Sequence, residues 1–277
     1  MRFEKWQALG NDYVILEHGG LDLTPATVQR LCDPHFGPGA DGVLELWPPT
    51  EPGYVARLRI FNPDGSEAEL SGNGAREAIL YLRRAGWTDA DTFSIQTAAG
   101  EIRPTITGPT TCRVDMGHAT LTSKDYPNGP PDGHGEIAGR RFQHVSIGNP
   151  QCAIHIATHD ELEALDLATI GPPIEHAAPF PNRTNVSFWT ELAPDTIRAR
   201  IFERGVGATL SSGTGACGAA VAHVLRGGDS PVTVRLDGGE LEVDVDESLH
   251  VDLTGWAVPV YRGELSDEFI ASVTGDD

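Results

Sequence analysis

The sequence predicts an α+β fold built from two similar domains that arose by internal duplication. Two stretches carry the same small-residue loop, "SGNGAREA" at 71–78 and "SGTGACGA" at 212–219. The match continues upstream at the same offset of 141 residues, where "RIF" at 59–61 aligns with "RIF" at 200–202. Each half mixes strands with one central helix, so we expect a mixed sheet around a helix in each domain and a ligand cleft between the domains.

The elements of the first half follow from local signals. "MRFEKWQALGNDYVILE" predicts two strands joined by a loop at 10–12. Thr24 is placed to cap a helix that has Pro25 at its first position and that Pro34 ends. The loop at 71–78 opens a second helix, "GAREAILYLRRAG". Further strands are predicted at "GVLELW", "VARLRIFN", "TFSIQT", "EIRPTIT" and "TCRVDMG".

The second half repeats this organisation after a segment dense in Pro, Gly and Asp at 121–140, which predicts a loop or linker. One acidic helix is expected over 159–175 and another over "GACGAAVAHVLRGG". Strands are predicted at "FQHVSIGNP", "CAIHIA", "TNVSFWTEL", "TIRARIFER" and "VTVRLDGGELEVDVDE". "VPVYRGELS" should pair back with the first domain, so the predicted domains are 1–115 with 258–277, and 116–257.

Charge and composition exclude several classes of partner. The net charge of −20 repels nucleic acid and anionic membrane surfaces. No run of 18 apolar residues occurs, and the first residues lack the apolar region of a signal peptide, so we expect a cytoplasmic protein without a membrane partner. The four scattered cysteines predict buried thiols rather than disulfides or a zinc site. A homodimer stays open.

The twin loops predict anion binding at two helix N-termini. Small residues let backbone N–H groups point at a ligand, and the helix dipole favours negative charge there. A carboxylate held by both loops would carry its α-carbon between Ser71 and Ser212, which is the arrangement for two-base proton transfer. One alternative is glycine punctuation without a ligand. A dinucleotide site at 213–218 is disfavoured, because "FERGVGATLSS" predicts a long loop before the motif rather than a strand.

Six motifs in order resemble the diaminopimelate epimerase family: "ALGNDYVIL", "LCDPHFGPGADGVLEL", "RIFNPDGSEAELSGNGAREA", "SIGNPQCAIHI", "RTNVSFW" and "IFERGVGATLSSGTGACGAA". The resemblance spans nearly the whole chain and implies two mirrored domains and a diaminopimelate pocket without a cofactor. The ten histidines show no H-x-x-H or H-E-x-x-H spacing, so no metal is expected. It implies that the distal end of the substrate is held by Asn11, Asn62, Asn149, Asn185 and Arg204. It places the α-carboxylate on Gly72, Asn73, Gly213 and Thr214, and the substrate amine near Glu203.

The chain departs from the family at its catalytic positions. In the family, a cysteine begins each of the two loops, whereas this chain has Ser71 and Ser212 there. The histidine that supports the first cysteine in the family is replaced here by Gln151. A thiol titrates at about 8.5, while a serine needs a separate base. Glu203 is the candidate base for Ser212. Secondary candidates are Glu67, Glu69 and Cys217, whereas Cys152 is expected to face the core.

Three functions follow from this pattern. The first is an isomerase that interconverts LL- and meso-diaminopimelate, in the lysine and peptidoglycan precursor pathway, with impaired or altered catalysis. The second is a related dehydratase or double-bond isomerase in which Glu203 does the proton work. The third is a non-catalytic diamino-acid-binding homologue. In each, Ser71 and Ser212 are expected to face each other across one cleft.

Overall fold

The computed structural model describes residues 1–68 and 71–274, and it divides into two compact units. The first unit comprises Met1–Val114 with Trp256–Asp277, and the second comprises Asp115–Gly255. Within the described residues, no helix combines the length and the apolar composition needed to span a membrane.

Strands and helices alternate along the first unit. Its elements, up to the last strand before the division, are β1 (Arg2–Ala8), β2 (Asn11–Glu17), α1 (Pro25–Cys32), β3 (Gly42–Trp47), β4 (Ala56–Phe61), β5 (Glu67–Ala68), α2 (Gly72–Ala85), β6 (Ile95–Thr97), β7 (Gly100–Ile102) and β8 (Pro104–Gly108). Strand β9 (Thr111–His118) then crosses the division between the units.

The second unit repeats this order of elements before the chain returns to the first. The remaining elements are β10 (His134–Ile137), β11 (Arg140–Ser146), β12 (Pro150–His155), α3 (His159–Glu163), α4 (Leu167–Glu175), β13 (Asn185–Ala193), β14 (Thr196–Glu203), β15 (Gly207–Thr209), α5 (Gly213–Leu225), β16 (Val232–Leu236), β17 (Gly239–Val245), β18 (His250–Trp256), β19 (Val258–Glu264) and α6 (Asp267–Thr274).

The strand pairing is the same in the two units. In the first, β1–β2 is antiparallel, β2–β3 parallel, β3–β4 antiparallel and β4–β6 parallel. In the second, β11–β12, β12–β13, β13–β14 and β14–β16 follow the same alternation. Short strands β5 and β15 each pair antiparallel with the strand before them. This repetition confirms the predicted α+β fold with a duplicated mixed sheet.

Each sheet carries a helix whose start and end have a local cause. Ser71 caps α2 by accepting a hydrogen bond from the backbone N–H of Gly74, and Ser212 caps α5 by accepting from that of Gly215. At the end of α2, Gly86 adopts a left-handed φ of 80°, which a residue with a side chain adopts only with strain. The predicted Thr24 cap and Pro25 start of α1 are confirmed.

Separate hydrophobic clusters support the two sheets. In the first unit, α1 packs Val28 and Leu31 against Val14 and Val43 of the sheet. In the second unit, a cluster including Ile154, Phe188 and Phe202 packs with Leu162 of α3 and Ile174 of α4. The C-terminal strand β19 pairs antiparallel with β1, as predicted for "VPVYRGELS".

Three local predictions were wrong. The single helix expected over 159–175 is two helices, because Asp166 caps a new one by accepting from the Ala168 N–H. The 121–140 segment contains β10, which pairs with β11. The approach to the second small-residue loop contains β15 rather than loop alone, although β15 runs antiparallel to β14 and does not form the strand of a dinucleotide motif.

Candidate active site

In the first unit, the N-terminus of α2 is organised around Ser71. The Ser71 hydroxyl oxygen accepts hydrogen bonds from the Gly74 N–H at 3.1 Å and from the phenol of Tyr13 at 3.1 Å. The Ser71 carbonyl accepts the N–H of Ala75 at 2.8 Å. Tyr13 is 6% exposed, whereas Ser71 is half-buried, so the pair lies at the edge of the core.

A polar network fixes the loop beside Ser71. The side-chain amide of Asn73 donates to Asn11 Oδ1 at 3.2 Å, and the Asn11 amide donates to Asp41 Oδ2 at 3.0 Å. Arg76, fully buried, donates to the Gly72 carbonyl at 3.1 Å and to Asn73 Oδ1. The structure thus brings Asn11, Gly72 and Asn73 together, and a buried guanidinium adds positive charge next to the helix N-terminus.

Asn62 lies apart from this network in its hydrogen bonding. Its amide donates to the Ser66 hydroxyl at 3.0 Å within the turn after β4. Glu67, a secondary base candidate, is paired with Arg59, which donates to both of its carboxylate oxygens at 3.0 and 2.8 Å. This pairing lowers the pKa of Glu67 below its usual value. Glu69, the other candidate, lies outside the described residues.

In the second unit, Ser212 is paired with an acid. The Ser212 hydroxyl donates to Glu203 Oε2 at 3.0 Å and accepts from the Gly215 N–H at 3.2 Å. Burial raises the pKa of Glu203, and the hydroxyl groups of Thr209 and Ser212 oppose the rise. The raised pKa brings Glu203 nearer to the range in which a carboxylate both takes and releases protons. The predicted pairing of Glu203 with Ser212 is present.

A chain of amides links the start of β12 to the N-terminus of α5. The Gln151 amide donates to Asn149 Oδ1 at 2.7 Å, and the Asn149 amide donates to the Thr214 hydroxyl at 3.2 Å. Gln151 is fully buried and packs on Gly218, where an added Cβ would lie 2.7 Å from the Gln151 Cβ. Gln151 therefore packs β12 against α5, and its neutral amide does not serve as an acid or a base in proton transfer.

Arg204 follows β14 and is held by its backbone. Its N–H donates to Asn185 Oδ1 at 2.9 Å, while the Asn185 amide donates to the Pro150 carbonyl at 3.0 Å. The guanidinium donates to the Asn182 carbonyl at 3.3 Å, and within residues 1–68 and 71–274 no acidic partner of Arg204 is found. Asn185 thus positions Arg204, whose charge is available to an anionic ligand.

The thiols lie in the core. Cys217 is fully buried within α5, one turn beyond Ser212, and Cys152 is fully buried in β12. Burial raises the pKa of Cys152. A buried thiol with a raised pKa is a poor nucleophile and base, so Cys152 is a core residue as expected.

Sequence reasoning missed Tyr13 as a site residue. Its ring stands on β2, two positions after Asn11, and its phenol reaches a serine 58 positions away in sequence. The available signal was strand periodicity, because alternate residues share one face of a strand and Asn11 was already a candidate.

Both halves of the chain match one family in comparisons with known proteins. A family model described as diaminopimelate epimerase matches residues 3–122 and again residues 143–262. A diaminopimelate epimerase from Synechococcus sp. (strain JA-2-3B'a(2-13)) is 42% identical, with 95% of this chain and 97% of the relative covered. One from Pelotomaculum thermopropionicum is 40% identical, with 95% and 98% covered.

Solved structures share the fold at low identity. A hydroxyproline epimerase from Agrobacterium vitis has a TM-score of 0.65 at 16% identity, with 99% of this chain and 98% of that chain covered. A phenazine biosynthesis protein of the PhzF family from Bacillus anthracis has a TM-score of 0.67 at 18% identity, with 96% and 99% covered.

Proposed function

Because this chain belongs to the diaminopimelate epimerase family, we propose that it is an isomerase that interconverts LL- and meso-diaminopimelate by cofactor-free transfer of the α-proton. This activity belongs to the formation of lysine and peptidoglycan precursors. The observation that carries the proposal is the hydrogen bond from Ser212 to the half-buried Glu203 carboxylate at the N-terminus of α5. It gives a hydroxyl at a helix N-terminus its own base.

The two carboxylates of the substrate are bound by different groups. The α-carboxylate is held by backbone N–H groups at the helix starts, such as those of Gly213 and Thr214, which an α-helix leaves without intrahelical acceptors. The distal carboxylate pairs with the guanidinium of Arg204, which suits two oxygens at once. The partner is thus a small diamino dicarboxylic acid. A homodimer is a separate prediction, tested by sedimentation.

Proton transfer works through the serine hydroxyls rather than through ionised side chains. Ser212 takes the α-proton only as its own proton passes to Glu203, because a serine alkoxide is not available near neutral pH. The hydroxyl of Ser71, at the corresponding helix N-terminus of the first unit, is the second proton-transfer group of the proposal. The rate is therefore expected to lie far below that of a cysteine pair, whose thiols titrate at about 8.5.

The test is exchange and inversion of the α-proton in deuterated buffer, followed by NMR and chiral chromatography for both LL- and meso-diaminopimelate. Exchange above the buffer background that Glu203→Gln lowers by roughly 100-fold or more for at least one epimer supports the proposal, because general acid–base groups contribute about 10²–10⁴-fold. Brisk turnover that survives Glu203→Gln would show that the acid and base lie elsewhere. Binding without any exchange would identify a non-catalytic diamino-acid-binding protein.

The comparisons do not favour the alternative functions. The structural relatives with other chemistry, such as the PhzF-family protein, share less than 20% of their residues with this chain and support the fold alone. The retained Arg204 and asparagine set also favours a diamino-acid substrate over a new one, because a different reaction usually needs a different pocket.

A further inference from the structure

The two helix-capping serines have different hydrogen-bond partners, and the difference is in the direction of donation. At Ser71, the partner is the phenol of Tyr13, which donates to the serine oxygen at 3.1 Å. At Ser212, the partner is the carboxylate of Glu203, which accepts from the serine at 3.0 Å. Both serines also accept one backbone N–H, from Gly74 and Gly215 respectively.

Counting donors and acceptors separates the roles of the serines. A serine hydroxyl has one hydrogen to donate and two lone pairs that accept. Among the hydrogen bonds of the described residues, both lone pairs of Ser71 are used by Tyr13 and Gly74, so its hydroxyl hydrogen is left for a ligand. Ser212 gives its hydrogen to Glu203 and uses one lone pair for Gly215, so a lone pair is left for a ligand.

The position of Tyr13 is built into the sheet. Tyr13 on β2 lies opposite Gly42 on β3, and its ring occupies the space where a side chain at position 42 would stand. A Cβ added at Gly42 would lie 2.5 Å from the Tyr13 Cε1 atom and 2.5 Å from the Phe61 carbonyl oxygen. The glycine lets the ring lie across the neighbouring strand and extend its phenol to the N-terminus of α2.

From this geometry we propose that Tyr13 is the positioning residue that supplies the proton for the Ser71 half of the reaction, so that Ser71 acts as the acid while Ser212 acts as the base. The proposal rests on the function proposed above. It divides an otherwise symmetrical pair of serines into a donor paired with a phenol and an acceptor paired with a carboxylate.

The proton balance follows the hydrogen bonds. Ser212 forms a bond to the α-proton while its own proton moves to Glu203, and the C–H electron pair stays on the substrate, delocalised toward the α-carboxylate. Ser71 gives its hydrogen to the α-carbon, where that electron pair forms the new C–H bond. The phenol proton of Tyr13 replaces the hydrogen that Ser71 lost. Tyr13 is left as a phenolate and Glu203 as a neutral acid, and solvent restores both.

The resting protonation state favours this direction. A phenol is a much weaker acid than a carboxyl group, and in the structure the Tyr13 phenol donates to Ser71 while the Glu203 carboxylate accepts from Ser212. Reaction in the opposite sense begins from the rarer state with a phenolate and a neutral acid. Burial raises the pKa of Glu203, which narrows the free-energy difference between these two protonation states.

The experiment measures deuterium uptake and inversion for each epimer separately in Tyr13→Phe. This variant keeps the ring and removes only the phenol hydroxyl. For the epimer that Ser212 deprotonates, inversion should fall by about 100-fold or more while deuterium still enters the recovered substrate. For the other epimer, both exchange and inversion should fall by that factor, because Ser71 has no group to receive its proton. Glu203→Gln should give the mirror image, sparing exchange in the opposite epimer.

A matched control and a second variant complete the design. Tyr81→Phe removes a phenol that donates to Glu17 from the same helix α2, and it should leave both epimers unchanged. Ser71→Ala removes the acceptor of the Tyr13 bond and should reproduce the epimer pattern of Tyr13→Phe. Equal losses of deuterium exchange for both epimers in Tyr13→Phe and in Ser71→Ala, or unchanged inversion, would overturn the role of Tyr13 and leave the proposed function standing. No exchange of either epimer by the unaltered protein would overturn both.

Discussion

Arg204→Ala tests whether this chain binds a substrate with a second carboxylate. The Arg204 guanidinium is half-buried and donates to one backbone carbonyl, that of Asn182, at 3.3 Å. Its backbone N–H is fixed separately, by Asn185 Oδ1 at 2.9 Å, so the substitution should leave the path of the loop unchanged. The change therefore removes charge and donors with little effect on the fold.

The size of the loss follows from what the guanidinium would contact. Removing one partner of a buried charge pair costs about 2–5 kcal/mol, and a half-buried side chain belongs at the lower end of that range. A loss of about 2–3 kcal/mol corresponds to a rise in Kd of roughly 30- to 150-fold. L-lysine, which lacks the second carboxylate of diaminopimelate, should bind much more weakly to the unaltered protein and should lose nothing further in Arg204→Ala.

Isothermal titration calorimetry with both ligands and both proteins gives the complete cycle. Arg235→Ala is the charge-matched control, because Arg235 is an exposed arginine on β16 paired with Glu240 at 2.8 Å. It changes the net charge by the same amount and should leave both dissociation constants unchanged. Equal losses for diaminopimelate and lysine, or no loss in Arg204→Ala, would refute the assignment of Arg204 to a distal carboxylate.

Two further predictions concern catalysis and stability. Ser71→Cys combined with Ser212→Cys should raise the rate of α-proton exchange measured by NMR, and adding Gln151→His should raise it further. Either serine change alone should raise the rate little, because both faces of the α-carbon must be served. A single change that matches the pair would contradict this prediction. Burial raises the pKa of Glu77 well above its ordinary value of 4.5, with Asp12 and Asp41 adding to the rise and Arg76 opposing it. The folded protein therefore binds this proton more tightly, so the stabilisation is complete below pH 4.5 and is lost as pH rises through the folded pKa. Glu77→Gln should raise Tm more at pH 8 than at pH 5 in thermal melts, and equal shifts at both pH values would count against this account.

Much of the fold could be predicted because its signals are local or repeated. Thr24 and Pro25 mark a helix start within adjacent residues, and the helix starts beside Ser71 and Ser212 could be predicted from the twin loops. The helix break at Asp166 was missed, because an aspartate cap within an acidic, periodic segment resembles an ordinary helical position. The expectation that both serines line one cleft stays a prediction.

The candidate site likewise combines contacts that the sequence could predict with contacts that it could not. Glu203 and Ser212 lie nine positions apart, at two ends of one strand–loop–helix segment, and their pairing could be inferred from the sequence. The role of Asn185 could not, because its amide is used by two backbone groups, of Pro150 and Arg204, that sheet packing brings to it.

The sequence by itself determined the duplication, the mixture of strands with one central helix in each half, and the residues at the two helix N-termini, since these depend on period, turn chemistry and motif order along the chain. Only the tertiary structure decided which partner each serine receives. Tyr13 reaches Ser71 because the parallel register of β2 and β3 places Gly42 opposite its ring, and Ser212 reaches Glu203 because β14 ends beside the start of α5. A register shift of one residue would turn Tyr13 to the other face of its sheet, so the donor at Ser71 is a property of strand pairing and not of the loop sequence that the two halves share.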